Sequence, residues 1–469
     1  MIFSSIYFVY LFLPIVLGAY YLIPAKWVNV RNLLLLAFSL FFYAYGEPGF
    51  VFILVASILF NYLLALGISA AKSKLLLTVA VLLNVGILFV FKYLSFTTGA
   101  LNRLFSLSLP VRDIALPIGI SFFTFQALSY VIDVYRGEKV QKNLFELALY
   151  ICFFPQLIAG PIVRYHDISE QLKHRTCDME SFGMGVERFL IGFSKKVLLA
   201  NQLAIVADGV FDRGDTAPLF CAQAWIGSIC YSLQLYYDFS GYSDMAIGLG
   251  RMFGFCFQEN FDHPYIASSI TDFWRRWHKS LSGWFRDYVY IPLGGSRVKT
   301  PRHIFNLFVV WLLTGIWHGA DETFLCWGLF YFVFLTAEKY LIRPERIKNG
   351  GCRILYRVFT LLVVNGLWIL FRADSMTTVG GILKAMFAFA APAAGFDGWL
   401  GRTMREEGIF ILLALLLAMP VRSRFLEKAG HKFEKTAGIG YVILLMILFL
   451  WGTSYLILGA HNPFLYFNF

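Results

Sequence analysis

"FNLFVVWLLTGIWHGADETFLCWGLFYFVFL", residues 305–335, consists of two apolar runs divided by a short polar break, with a histidine, His318, at the end of the first run. With their flanks, 303–320 and 323–342, the two segments come close to the ~20 residues needed to cross a bilayer as a helix. The same pattern recurs along the chain. Its 469 residues are 58% hydrophobic and 18% aromatic but only 15% charged, against about a quarter charged in a soluble domain. Apolar segments lie near 4–24, 31–45, 50–70, 75–93, 114–133, 144–163, 187–211, 220–237, 303–320, 323–342, 354–372, 408–420 and 437–459. Several are too short or too polar to be spans by themselves. The sequence therefore predicts an all-α polytopic membrane protein with roughly ten to twelve crossings plus re-entrant or interfacial helices.

The first segment lacks a basic n-region and a small-residue cleavage site, so it reads as an uncleaved span. Lys26 and Arg31 follow it, "AKSK" (71–74) follows the third segment and "RGEKVQK" (136–142) the fifth. Placing these basic loops in the cytoplasm puts the N-terminus outside. Lys92, Arg103 and Arg112 fall on the opposite side in that scheme. The net charge of +11 comes with no basic tail or recognition motif, so it argues for cytoplasmic loops and against nucleic acid. The seven cysteines form no CxxC pair and several sit inside apolar segments. They are expected to be buried, reduced thiols.

Between about 238 and 303 the pattern changes: "DFSGYSDMAIGLGRMFGFCFQENFDHPYIASSITDFWRRWHKSLSGWFRDYVYIPLGGSR" (238–297) is rich in charges and aromatics. "SITD" (269–272) has the spacing of a helix start with an acidic first turn. Phe273, Trp277, Leu281, Trp284 and Tyr288 then recur at helical spacing, with Arg275, Lys279 and Arg286 opposite. Such a helix lies at a membrane interface or dips in from it. His278 shares its expected face with Trp274, Leu281, Ser282 and Phe285, away from the basic residues.

A histidine inside a membrane segment is costly unless it faces protein or a water-filled cavity. It serves either as a neutral hydrogen-bonding partner between helices or as a proton-transfer group. Gly315 and Gly319 flank His318 and permit close approach of backbone or ligand, and Asp321 and Glu322 follow within about a turn. No nucleophile elbow, P-loop, HExxH or dinucleotide fingerprint occurs, and no metal-ligand spacing. A base without its own nucleophile fits a reaction in which a substrate hydroxyl attacks, such as acyl transfer to an alcohol.

"YDFSGYSDMAIGLGRMFGF" (237–255), "ENFDHPYIASSITDFWRRWHKSLSGWFRDYVYIPLGGSR" (259–297) and "GIWHGA" (315–320) resemble the signature blocks of the membrane-bound O-acyltransferase superfamily, MBOAT. The opening "MIFSSIYFVYLFLPIVLGAYYL", "LPIGISFFTFQALSYVIDVYRGE" (116–138) and "FFPQLIAGPIVRY" (153–165) resemble its bacterial branch typified by alginate O-acetyltransferase. The resemblance covers nearly the whole chain. It implies a single transmembrane domain over 1–469, a ring of tilted helices around a central cavity, and a catalytic core region at 238–320. It implies His318 as general base and His278 as a second histidine that orients substrate or stabilises charge. Acyl donor, as acetyl-CoA or an acyl carrier protein thioester, would come from the cytoplasm, and the acceptor hydroxyl from outside. Asp238, Ser240, Asp244 and Trp317 are further substrate-site candidates, the polar ones alternatively helix-packing groups. Arg275 and Arg276 would hold donor phosphates or anchor the interface. Lys279 stands where many relatives carry Ile. The histidine that often follows "WG" is missing from "WGLFYF" (327–332).

"HNPFLYFNF" (461–469) reads by composition as an interfacial aromatic anchor. It also resembles the tail motif of the small partner protein in teichoic-acid D-alanylation systems, which implies Tyr466 as an acyl carrier. The reading as a whole is an O-acetyltransferase of the cytoplasmic membrane. It sits in the lipid bilayer and serves an exported envelope polysaccharide, and the resemblance implies a separate extracytoplasmic transferase as partner. D-alanyl transfer to teichoic acid is one alternative. A transporter using the intramembrane histidines is another, although no internal repeat is visible.

Overall fold

The computed structural model describes residues 1–112, 114–212, 219–388, 396–420 and 434–463. Among them the chain is helical, without strands. In order, the elements used below are α1 (Phe8–Leu22), α2 (Val28–Gly46), α3 (Val51–Ala71), α4 (Lys74–Phe105), α5 (Ile120–Arg136), α6 (Leu144–Cys152), α7 (Met179–Phe211) and α8 (Cys221–Met252). There follow the short α9 (Ile270–Arg276) and α10 (Lys279–Phe285), then α11 (Thr300–His318), α12 (Glu322–Arg346), α13 (Gly350–Arg372), α14 (Gly408–Leu417) and α15 (Glu434–Ile457).

Seven helices among the described residues are long and apolar enough to cross a membrane, namely α2, α3, α4, α7, α12, α13 and residues Gly438–Ile457 of α15. That is fewer than the sequence suggests. The difference lies mainly in α5, α8 and α11, which are long but polar and turn much of their surface inward, and in the shorter apolar α1 and α14. The protein is an all-α multi-pass membrane protein.

Four boundaries differ from the sequence reading, each for a physical reason. The segment expected at 114–133 becomes helical only at Ile120, after Gly119 with φ 76°. The segment expected at 144–163 stops at Cys152 because "FFPQLIAGPI" (153–162) carries two prolines. Its irregular backbone is wholly buried in protein, the condition under which non-helical chain is tolerated at membrane depth. The expected change of pattern at 238 does not end a helix. α8 runs on to Met252, since cations from α7 meet its carboxylates: Lys196 Nζ lies 2.5 Å from Asp238 and Lys195 Nζ 2.7 Å from Asp244. Finally, the single helix expected after "SITD" is two. Ser269 caps α9 as anticipated, accepting from Asp272 N at 3.0 Å, but the helix breaks at Trp277 and His278. The cysteines are free, yet only Cys152 and Cys230 are buried, and Cys256 and Cys352 are exposed.

The apolar core forms two clusters that meet along α8: Tyr236 belongs to one and Phe239 to the other. α7 and α8 approach closest where glycines face each other. A Cβ on Gly192 would lie 2.5 Å from the Gly241 carbonyl oxygen, and one on Gly248 would lie 2.6 Å from that of Gly185. Small residues allow this backbone approach in lipid, where packing and not hydrophobicity joins helices. Gly192→Val is therefore expected to destabilise the protein by about 1–3 kcal/mol through overpacking. It should lower the monodisperse fraction surviving a heating series in detergent. Gly183→Ala on the same helix, where nothing lies within 4 Å, should leave that fraction unchanged.

Candidate active site

His318 is the last residue of α11 and is 3% exposed. Its imidazole is enclosed by aromatic rings, with centroids at 4.8 Å to Trp317, 5.1 Å to Trp327 and 5.0 Å to Phe371. The flanking glycines admit protein: a Cβ on Gly315 would lie 2.6 Å from the Phe324 carbonyl oxygen, and one on Gly319 would strike the Phe324 ring. Asp321 and Glu322 are exposed at the turn into α12, so they mark a boundary and do not face the histidine's chamber.

The end of α11 leaves carbonyls without helical partners. Two donors from α4 take them: Tyr93 OH donates to the Ile316 oxygen at 2.8 Å, and Lys92 Nζ donates to the Trp317 oxygen. A cation at a helix C-terminus also complements its dipole. Lys92 further lies 3.5 Å from Ser121 Oγ and 5.8 Å from the Trp317 ring centroid. It sits in a π-turn, Phe89–Tyr93, a device that often marks function. Sequence reasoning missed this role. The one signal was that Lys92 fell on the wrong side of the loop-charge scheme; it is not a loop residue.

His278 is 1% exposed and occupies the N-cap of α10 with φ 45° and ψ 53°. A non-glycine residue in this region costs roughly 1–2 kcal/mol, and neighbouring groups hold it there. Asn260 supplies the cap: its carbonyl accepts from Lys279 N at 2.9 Å, and its side-chain Oδ1 from Ser280 N at 3.2 Å and Ser280 Oγ at 2.9 Å. Because the Ser280 amide is a donor, the Asn260 atom it meets is the oxygen. The His278 Nδ1 at 3.1 Å from that oxygen must then carry the proton and donate. This leaves Nε2 as a bare acceptor, and it has no partner among the described residues. The Trp317 ring stands 6.0 Å from His278 and 4.8 Å from His318, so one indole, whose own Nε1 is also unpartnered, separates the two histidines.

A cavity of about 950 Å³ opens beside this pair, within the range of ligand pockets. One wall is apolar, from Phe410, Leu413 and Leu417 of α14 and Leu444, Leu445, Leu448 and Trp451 of α15. The other is charged: Arg188 pairs with Asp244 and Glu259, at 2.7 and 2.5 Å, and Lys195 pairs with Asp244. Its lining also includes Phe261 and Lys279. The histidines do not line it; Phe239, 4.6 Å from His278, and Phe261, at 6.5 Å, stand between.

Of the residues singled out in the sequence, Ser240 and Asp244 line the cavity, and Asp238 pairs with Lys196 on another face of α8. Arg276 is engaged by Asp272 at 3.0 Å and Asp262 at 3.6 Å. Burial alone would raise the Asp272 carboxyl, but the Ser268 amide and Arg276 hold it below the usual carboxylate range. Arg275 is exposed, and neither arginine lines the cavity. The basic groups that do are Arg188, Lys195, Arg251 and Lys279. Tyr466 lies outside the described residues.

Comparison with known proteins matches residues 38–347 to the model of MBOAT, the membrane-bound O-acyltransferase family. The chain is 39% identical to the probable alginate O-acetylase AlgI of Azotobacter vinelandii, over the full length of both. It is 33% identical to the peptidoglycan O-acetyltransferase of Helicobacter pylori, covering 100% of this chain and 98% of that one. A third likeness, 30%, is to the teichoic acid D-alanyltransferase of Bacillus subtilis, over 49% of this chain and 61% of that one.

Asn260→Ala removes the acceptor that fixes the His278 tautomer. With a buried polar group left unmatched at about 1–3 kcal/mol, acyl transfer is expected to fall roughly tenfold or more while membrane-inserted protein stays at the wild-type level. An unchanged rate would show that the tautomer lock is not used.

Proposed function

The chain belongs to the membrane-bound O-acyltransferase family, and on that premise we propose that it is an O-acetyltransferase acting toward hydroxyls of an exported cell-envelope polysaccharide. The observation that carries this reading is the likeness, over the full length, to an alginate O-acetylase and a peptidoglycan O-acetyltransferase. Membership of an acyltransferase family removes the reason for the transporter reading.

In the orientation that the basic loops favour, the end of α8 near Arg251 lies in the cytoplasm and the N-terminus outside. The acetyl thioester of coenzyme A, or of a carrier protein, then enters the cavity from the cytoplasmic end. Its flexible arm runs along the apolar wall, and Arg251 and Lys279, which pair with no carboxylate among the described residues, are the lining cations available to its phosphates. Beyond the aromatic layer of Phe239 and Phe261, His318 acts as general base. His278, with a bare Nε2, accepts a hydrogen bond from the attacking hydroxyl and orients it.

The transfer runs in two steps through Tyr466. The phenolic oxygen attacks the thioester carbonyl, the C–S bond breaks, and the phenol's proton passes through His318 to the departing thiolate. The acetyl group then leaves the aryl ester for a hydroxyl outside, and the tyrosine recovers that hydroxyl's proton. Such a relay divides one difficult transfer into two. A separate extracytoplasmic transferase completes delivery to the polymer, and the host bilayer is the inner membrane.

The test is ester release. Mild alkali applied to envelope and secreted polysaccharide from a deletion strain should liberate acetate when the strain carries the wild-type gene. It should liberate almost none with His318→Ala. D-alanine in place of acetate would transfer the protein to the D-alanylation reading that its likeness to the Bacillus enzyme supports. Equal acetate from both would remove His318 as the base, and full product from Tyr466→Phe would end the relay.

A further inference from the structure

Lys195 and Lys196 are consecutive residues of a π-turn, Lys195–Ala200, in the middle of α7, and they point to different faces. Lys195 reaches Asp244 at the cavity. Lys196 reaches Asp238, and both members of this second pair are 2% exposed. Asp238 lies 14 residues before Met252, about 21 Å along α8 at 1.5 Å per residue, so the pair sits near the middle of that helix, deep in the protein. Burying an ion pair there gives weak net stabilisation, and ionisable groups at this depth usually serve a function.

Lys196 also meets the end of the described chain. Its Nζ donates to the carbonyl oxygen of Pro463. The two residues before Pro463 are held as firmly. His461 Nε2 lies 3.0 Å from Asp208, and Asn462 Oδ1 accepts from Asn201 Nδ2 at 3.1 Å. Asn462 Nδ2 also donates to the Ser4 oxygen at 3.1 Å. Residues 461–463 are thus held by α7 and the N-terminal segment.

We infer that the Lys196–Asp238 pair is a positioning device: it grips the chain at Pro463, and acyl transfer to Tyr466 depends on that grip. The inference rests on the acyl-tyrosine reading above. Tyr466 is three residues beyond Pro463, a contour of at most ~11 Å. Phe239, the chain neighbour of Asp238, packs on His278 with centroids 4.6 Å apart, so the grip and the catalytic wall share one turn of α8. A charge pair suits the task, because a lysine ammonium has donors to spare: one serves Asp238 and another Pro463.

The experiment uses the full-length protein in lipid nanodiscs with acetyl-CoA, reading acetyl on Tyr466 by peptide mass spectrometry and CoA thiol release by colour. Lys196→Met alone would strand a buried carboxylate and risks misfolding, so the double variant Lys196→Met/Asp238→Asn, neutral and near in size, is the main probe. Asn462→Ala is the second. Both should fold, keep the wild-type KM for acetyl-CoA, and lose acetyl-tyrosine formation at least tenfold. Lys196→Arg should restore much of it. Acetyl-tyrosine at the wild-type rate in both variants would overturn the positioning role and leave the relay standing. Absence of acetyl from Tyr466 in the wild-type protein, with CoA still released, would overturn the relay and the positioning role with it.

Discussion

A charge or a bare polar group inside a bilayer must find its partner within the protein, and much of this structure is the consequence. α8 carries Asp238 and Asp244 through the core only because α7 brings Lys196, Lys195 and Arg188 against them. Those cations arrive at the right height because facing glycines let the two backbones nearly touch. The same need shapes the end of α11. Its open carbonyls are met by Lys92 and Tyr93 from α4, and this anchors the backbone that carries His318.

Around that anchor the two histidines are prepared differently. His318 is boxed by aromatic rings at a helix end. His278 is forced into a left-handed cap, its tautomer set by an asparagine whose orientation is in turn set by a backbone amide. The geometry leaves the His278 Nε2 as a buried acceptor, the state needed to receive a hydrogen bond from a hydroxyl and orient it. The cavity stops one aromatic layer short of the pair, behind Phe239 and Phe261. Phe239 and Phe261 are themselves packed in the aromatic core, Phe261 against Tyr236 and Trp277.

Much of this was legible in the sequence. Helices such as α3 and α13 declare themselves by continuous apolar runs, and His318 stood out because its cost in lipid demands a reason. What was hidden depends on partners distant in the chain. Nothing local to "DFSGYSD" reveals that Lys195 and Lys196 neutralise it, so α8 seemed to end too early. Periodicity over 270–288 suggested one helix, since apolar spacing continues across the break that the Asn260 cap stabilises. Arg275 and Arg276 looked like phosphate ligands by type alone, whereas Arg276 is taken up by Asp272 and Asp262, and the cavity draws its cations from elsewhere.

The central claim is that acyl transfer starts from the cytoplasmic cavity and passes through His318. Sealed membrane vesicles of both orientations, each given acetyl-CoA from outside, test it most directly by release of the CoA thiol. The account predicts release from inside-out vesicles carrying the wild-type protein, and almost none from right-side-out vesicles or from inside-out vesicles carrying His318→Ala. Equal thiol release by the alanine variant, or release only from right-side-out vesicles, would contradict it.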